Sequence, residues 1–225
     1  MKIVVIGADR GLGAVLTQML AERGHTVVAG LHRMESSPKE CGKVLYLPMD
    51  VSKEEVMNQA ARTISEQLGE IDAVVNVAGV LLPSDRKDTL LTENIEDIRE
   101  QMDVNALGIV IAFRAMYRSM KKGGRFFAVT SEGGSFTSAG SMFPAYSVSK
   151  TAANKFVQVL RLTVGDEVEV VAVHPGRMNT EMGRETAQIE PEVAAEGFCR
   201  LLEDETKVNY KEHWFIDYLG NPMPL

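Results

Sequence analysis

The sequence is short of cysteine and of positive charge and has no long apolar run, and each shortage removes a class of protein. Its two cysteines, Cys41 and Cys199, are too few and too far apart for a zinc cluster, a CxxC redox site or the disulfide framework of a secreted miniprotein. Both read as reduced thiols of a cytoplasmic protein. Lys plus Arg number 24 against 31 Asp plus Glu, and the formal charge of −7 repels phosphate backbones and anionic lipid, so neither nucleic acid nor membrane is an expected partner. Charges interrupt every candidate for the roughly 18 apolar residues of a membrane span. The apolar run after Lys2 ends in a charged, glycine-rich turn and reads as a strand, not a signal peptide. With 45% hydrophobic and 24% charged residues, the chain is that of an ordinary folded protein with material for a sizeable core.

Short β-branched runs alternate with longer helical patterns. Strands are predicted over 2–6, 26–30, 44–47, 73–76, 125–130, 167–174 and 213–217, and helices over 12–23, 56–68, 105–121, 146–164 and 191–202. Seven strands alternating with five helices predict a single α/β domain over 1–225, a Rossmann-type doubly wound parallel sheet with helices on both faces. Ser52 reads as a helix cap, and Pro191 as a first-turn proline ahead of acidic residues. The longest irregular segments, 80–92, 132–145 and 176–190, all follow predicted strands. A parallel sheet opens its ligand crevice there, so these loops are expected to build the substrate pocket. They offer Val80, Leu81, Leu82, Phe136, Met142, Phe143, Met178 and Met182, with Glu132, Arg177 and Arg184 as polar exceptions, which suits a lipophilic or aromatic carbonyl.

Gly7-Ala8-Asp9-Arg10-Gly11-Leu12-Gly13 stands between a strand pattern and a helix pattern. Glycines in such a turn let a pyrophosphate approach backbone N–H groups at a positive helix N-terminus. Tyr146 and Lys150 are four apart, so on a helix both project from one face toward one ligand. An ammonium beside a phenol favours the phenolate, which predicts a Tyr146 pKa lowered from about 10 toward the working pH.

The spacing of the three glycines resembles that of the short-chain dehydrogenase/reductase family. Asn76-Val77-Ala78-Gly79, Asn105, Ser131, the run Tyr146-Ser147-Val148-Ser149-Lys150, then His174-Pro175-Gly176 and Thr180 follow that family's motifs in order over nearly the whole chain. Two positions depart from the pattern: Ile6 stands where the family usually has Thr, and Val77 where it often has a second Asn. The resemblance implies that Tyr146 is the general acid for carbonyl reduction and the general base for alcohol oxidation. Lys150 would bind the nicotinamide ribose, Ser131 the substrate oxygen, and Asn105 a relay water behind Lys150. The alternative reading of Asn105 is a helix-start cap. Ser135 competes with Ser131, because the interval to Tyr146 is about two residues longer than the commonest family spacing.

Further cofactor contacts implied by the resemblance are Gly7, Asp9, Arg10, Gly11, Leu12 and Gly13 in the first turn, Asn76, Ala78 and Gly79 after the fourth strand, and Pro175, Gly176 and Thr180 after the sixth. Asp50-Val51 resembles the adenine-contacting pair, although Asp50 also reads as a cap. Family members that prefer NAD carry an acid at the end of the second strand; here Leu31 is followed by His32 and Arg33, with Arg10 within reach, which favours NADP(H) over NAD(H). Arg33 alternatively reads as a solvated loop residue. The segment Trp214 to Gly220 with Pro222-Met223-Pro224 resembles small cytosolic carbonyl reductases and the C-factor-like group. The expected function is an NADP-dependent oxidoreductase acting on a small-molecule carbonyl or alcohol; a non-catalytic NADP(H)-sensing protein is the alternative. Family members pair their long helices across a twofold axis, implying a homodimer or homotetramer, and Ile109, Ile111, Phe113, Phe156, Val157 and Leu160 offer apolar surface for the core or such an interface.

Overall fold

The computed structural model describes residues 1–34, 44–138, 140, 142–183 and 186–225. In chain order the elements are β1 (Lys2–Ile6), α1 (Gly11–Glu22), β2 (Thr26–Leu31), β3 (Val44–Pro48), α2 (Glu54–Leu68), β4 (Ile71–Asn76), α3 (Ile95–Met102), α4 (Gly108–Tyr117), β5 (Met120–Val129), α5 (Pro144–Val164), β6 (Val168–His174), α6 (Pro191–Leu202) and β7 (Phe215–Asp217). The seven strands pair in parallel in the order β3-β2-β1-β4-β5-β6-β7. This is the doubly wound sheet expected from the alternating pattern. Most of the β2–β3 connection falls on 35–43, outside the described residues, as does the expectation for Cys41.

Successive strand residues face opposite sides of the sheet, and both sides are covered. Val4, Ile6, Val74 and Phe126 pack with Met57 and Ile64 of α2, Ile109 and Phe113 of α4, and Val157 of α5. Ile3, Val5, Val75 and Phe127 pack on the other side with Leu16 and Leu20 of α1 and Phe198 and Leu201 of α6. Phe126 and Phe127, neighbours in sequence, therefore anchor different layers.

Strand order reverses at β1 and β4, and a crevice opens beyond their carboxyl ends. Ile6 is in register with Asn76, so Gly7 and Val77 leave the sheet side by side. A Cβ on Gly7 would lie 2.7 Å from the Ala78 nitrogen, so only glycine lets the two chains pass there. The 80–92, 132–145 and 176–190 segments follow β4, β5 and β6 at this same edge.

Several expectations change in the folded chain. Ser52 does not cap α2: Lys53 occupies that position without a side-chain cap, and Ser52 Oγ instead donates to Asp50 Oδ1 at 2.6 Å. The helix predicted over 105–121 is α3, a π turn over Asp103–Leu107, and α4. Asn105 therefore lies within a helical run and is not a helix-start cap; that part is played by Asn94, whose side chain accepts from the Glu96 N–H. Ile109, Phe113 and Val157 belong to the core, and the exposed apolar side chains around α4 and α5 are Leu107, Val148, Val159 and Leu162. Pro191 does occupy the start of α6. Among the described residues no helix is long and apolar enough to cross a membrane.

Candidate active site

The first turn is built around contacts that exclude side chains. A Cβ on Gly13 would fall 2.1 Å from the Gly7 carbonyl oxygen. Gly7 and Gly11 adopt φ of 86° and 55°, in the left-handed region that glycine enters freely. The residue ahead of α1, Arg10, caps none of the helix's first N–H groups with its side chain, which leaves the positive end of the helix facing the crevice. Leu12 is buried, so only its backbone is available there.

Asp9 does not project into the crevice as a free carboxylate. It accepts from the backbone N–H groups of His32 at 2.9 Å and Arg33 at 2.8 Å, which ties the end of β2 to the glycine turn and leaves both residues exposed at its rim. Asp50 closes that rim, with Lys53 Nζ at 3.2 Å and His32 Nε2 at 3.7 Å. Burial raises its pKa, but hydrogen bonds from Ser52 and Lys53 outweigh that and hold the carboxyl below its ordinary value. Val51 is buried against Gly108, where a Cβ would lie 2.7 Å from Val51 Cγ2. Across the crevice, Glu181 pairs with Arg10, and a Cβ on Gly11 would stand 3.5 Å from Thr180 Cγ2. Pro175 is buried and Gly176 takes φ 82°, starting the segment that carries Thr180 over the glycine turn. Asn76 is buried at the end of β4, its amide atoms unpartnered among the described residues.

Ser131 lies two residues beyond the end of β5, and Tyr146 lies in the first turn of α5. Ser131 lies beside the Tyr146 phenol and acts on it, and its Oγ accepts from the Gly133 N–H at 3.1 Å. Ser135 turns to a different partner, Thr137 Oγ1 at 2.7 Å. Lys150, one turn beyond Tyr146, places Nζ 5.6 Å from the centroid of the tyrosine ring and donates to the Val129 carbonyl at 3.0 Å. Asn105 accepts from the Val80 N–H at 2.7 Å and donates to the Val80 carbonyl at 2.8 Å and to Ser149 Oγ at 3.0 Å. The π turn is what aims it there, because the extra residue rotates its side chain toward the segment after β4. A Cβ on Gly79 would lie 3.1 Å from Asn105 Oδ1 and 3.3 Å from Lys150 Nζ, so both groups converge on a backbone kept bare.

Electrostatics in this cluster run opposite to the expectation. Burial pushes the Tyr146 phenol up to about 12, partly offset by the Ser131 side chain, and Glu132 raises it further. Burial likewise lowers Lys150 to about 8. In a site whose charges are so poorly solvated, desolvation outweighs the attraction that would have favoured a phenolate.

Two acids at this site escaped the sequence reading. Asp85 is buried in a short 3-10 turn, Ser84–Arg86, and accepts from the N–H groups of Ala145 and Tyr146; Glu93 lies beside it. The one sequence signal was indirect: α5 starts on Pro144 after Phe143, a residue unable to cap it. The pocket expectation also changes, since Phe136 and Met142 are 85% and 66% exposed and do not line an enclosed cavity. Phe136 instead borders an open groove of about 520 Å³ together with Leu90, Leu91, Pro144, Val148 and Thr151. Arg177 pairs with Glu132 at 2.5 Å, and Arg184 lies outside the described residues.

A glycine turn with a cationic rim, facing a serine, a tyrosine and a lysine across the mouth of a parallel sheet, is the architecture of a dinucleotide-dependent oxidoreductase. The family model for short chain dehydrogenases matches residues 1–191, and the chain belongs to that family. It is 32% identical over 216 residues to the farnesol dehydrogenase of Aedes aegypti, an alignment covering 90% of this chain and 84% of that one. Carbonyl reductase family member 4 of Danio rerio is 32% identical over 186 residues, 80% of this chain and 76% of its own. The crystal structure of a short chain dehydrogenase from Burkholderia cenocepacia J2315, in complex with NADP, superposes with a TM-score of 0.79 at 30% identity, over 90% of this chain and 84% of that one. The protein is thus a carbonyl-reductase-like short-chain oxidoreductase.

Proposed function

We propose that the chain is a cytoplasmic NADP(H)-dependent carbonyl reductase or alcohol dehydrogenase, active as a homodimer or homotetramer, with Tyr146 as its general acid and base. The observation that carries this reading is the convergence of Ser131, Tyr146 and Lys150 at the mouth of the sheet, with Lys150 Nζ 5.6 Å from the tyrosine ring centroid. The glycine turn fits a dinucleotide diphosphate, since Gly7 and Gly13 let the turn close tightly against β1 and the segment after β4, and the first N–H groups of α1 have no side-chain cap. Arg10, His32 and Arg33 would meet a ribose 2′-phosphate, since β2 ends on Leu31 and the nearby Asp9 carboxylate is taken up by the backbone N–H groups of His32 and Arg33. The bound nicotinamide supplies the hydride.

In this reading Ser131 donates a hydrogen bond to the substrate carbonyl oxygen, and Tyr146 delivers a proton to that oxygen as negative charge develops. A phenol held near 12 stays protonated across the neutral range, which favours the reductive direction. Lys150 binds the ribose and carries the proton back toward Tyr146, and Asn105 holds Val80 in place with a relay water behind it. Ser131 is preferred to Ser135 because Ser131 is the serine that acts on the Tyr146 phenol, whereas Ser135 Oγ is engaged with Thr137. The names of the farnesol dehydrogenase and carbonyl reductase relatives support a lipophilic carbonyl or alcohol as substrate.

Calorimetric titration with NADPH and NADH is the direct test. Tight NADPH and weak NADH binding is expected; preferential NADH binding would reverse the cofactor assignment, and a folded protein binding neither form, reduced or oxidised, would move the reading to a non-catalytic interaction role. Tyr146→Phe is expected to bind NADPH normally and to lose turnover by about 100-fold or more. Undiminished turnover would remove Tyr146 from the mechanism.

A further inference from the structure

The helix that carries Tyr146 begins without a cap of its own. Pro144 holds its first position, and Phe143 ahead of it makes no side-chain hydrogen bond to the first turn. The next two N–H groups, those of Ala145 and Tyr146, would be left without partners near the sheet edge. Both are met from 60 residues earlier in the chain: Asp85 Oδ1 accepts from Ala145 at 2.9 Å, and Asp85 Oδ2 accepts from Tyr146 at 2.8 Å. The Asp85 side chain is fully buried.

We propose that Asp85, backed by the carboxyl group of Glu93, is a positioning residue for Tyr146, holding the first turn of α5 so that the phenol reaches Ser131 and the substrate oxygen. The proposal rests on the reading of Tyr146 as the proton donor.

A lone buried carboxylate would be an expensive anchor, and Glu93 explains how this one is tolerated. Glu93 is only 6% exposed; its Oε1 accepts from Ser84 Oγ at 3.2 Å, and its Oε2 has no donor among the described residues. A proton on that oxygen turns it into a donor toward Asp85, satisfying both groups at once. Burial, then the neighbouring Asp85, pushes Glu93 up to about 7, and the charged groups acting on it, Asp85 and Asp97 of α3, are both acidic. The protonated form is therefore the resting one below neutrality. Ionisation of Glu93 at higher pH sets two carboxylates against each other and loosens the anchor. The same 3-10 turn reaches the other loops, since Arg86 donates to the Met182 carbonyl and stacks over Phe143 at 5.5 Å. One short turn thus links α5 to two of the segments that border the site.

The test compares D85A, D85N, E93A and E93Q with the unaltered protein. It reads turnover of an aromatic aldehyde with NADPH, NADPH affinity by calorimetry, and amide hydrogen exchange over 143–150. D85A is expected to lose about 10- to 100-fold in kcat, to keep NADPH affinity within about twofold, and to exchange faster over the first turn of α5. D85N, which keeps one acceptor, loses less and serves should D85A fail to fold. E93A lowers kcat several-fold; E93Q, offering an N–H where the protonated acid offers an O–H, restores most of it and lacks the fall in kcat that the unaltered protein shows as pH rises through about 7. Unchanged kcat and exchange in D85A would overturn the proposal, and so would a loss of NADPH affinity as large as the loss of kcat. If the unaltered protein turns over no carbonyl at all, the reading of Tyr146 fails, while exchange in D85A still decides whether Asp85 holds the turn.

Discussion

Burial moves Tyr146 and Lys150 in opposite directions, the phenol up to about 12 and the ammonium down to about 8, and both shifts favour the uncharged side chain. For Lys150 this is a cost to the folded protein. A base whose pKa is lower folded than unfolded contributes fully only above its unfolded value, and that contribution is lost as pH falls through the folded one. Charging Lys150 therefore weighs against folding below about pH 8, and the penalty fades toward the ordinary lysine value. Lys150→Met is expected to raise stability at pH 7 by about 1–3 kcal/mol, less the bond to Val129, with the gain shrinking toward pH 10 and turnover lost. Denaturant unfolding across that range checks it; equal stability of the two proteins at pH 7 and pH 10 would mean that the burial penalty is not there.

At the scale of single elements, the glycine turn and the π turn do opposite things to the backbone. The glycine turn works by removal: Gly13 lies against the Gly7 carbonyl, and the first turn of α1 can come that close to β1 only without a side chain. Gly13→Ala is expected to cost about 1–3 kcal/mol of stability and to weaken NADPH binding by about tenfold or more, because relief of the clash must move the N–H groups that face the crevice. Calorimetry and thermal unfolding of the variant measure both; normal NADPH affinity would mean that the turn does not hold the diphosphate. The π turn works by insertion, one added residue turning Asn105 from the helix surface toward Val80.

Across the whole molecule, the sheet gathers residues from distant parts of the chain at one edge, and among the described residues α4 and α5 leave apolar side chains exposed on their outer side. Val148, Val159 and Leu162 are exposed on α5, Leu162 at 72%, and Leu107 is exposed just before α4. If the protein pairs through this face, Leu162→Glu places a charge in a dry interface and is expected to yield a particle of one chain's mass where the unaltered protein gives two or four. Light scattering after size exclusion reads this directly. A monomeric unaltered protein would dismiss the homo-oligomer proposal.

The alternation of β-branched runs with helical patterns determined the seven-stranded sheet by itself, because strands buried on both faces must be apolar throughout and helices on a sheet must be amphipathic. The glycine turn, Ser131 and Tyr146 were likewise legible as positions near element boundaries that local patterning marks, and Lys150 as the residue one helical turn beyond Tyr146. Tertiary structure alone decided what distance in sequence conceals. Asp85 anchors a helix 60 residues away, and Asp9 is taken up by the amides of His32 and Arg33. The direction of the Tyr146 shift was beyond the sequence for a related reason: spacing along a helix shows that a lysine is near, whereas the desolvation that overrides it depends on every element packed around the site.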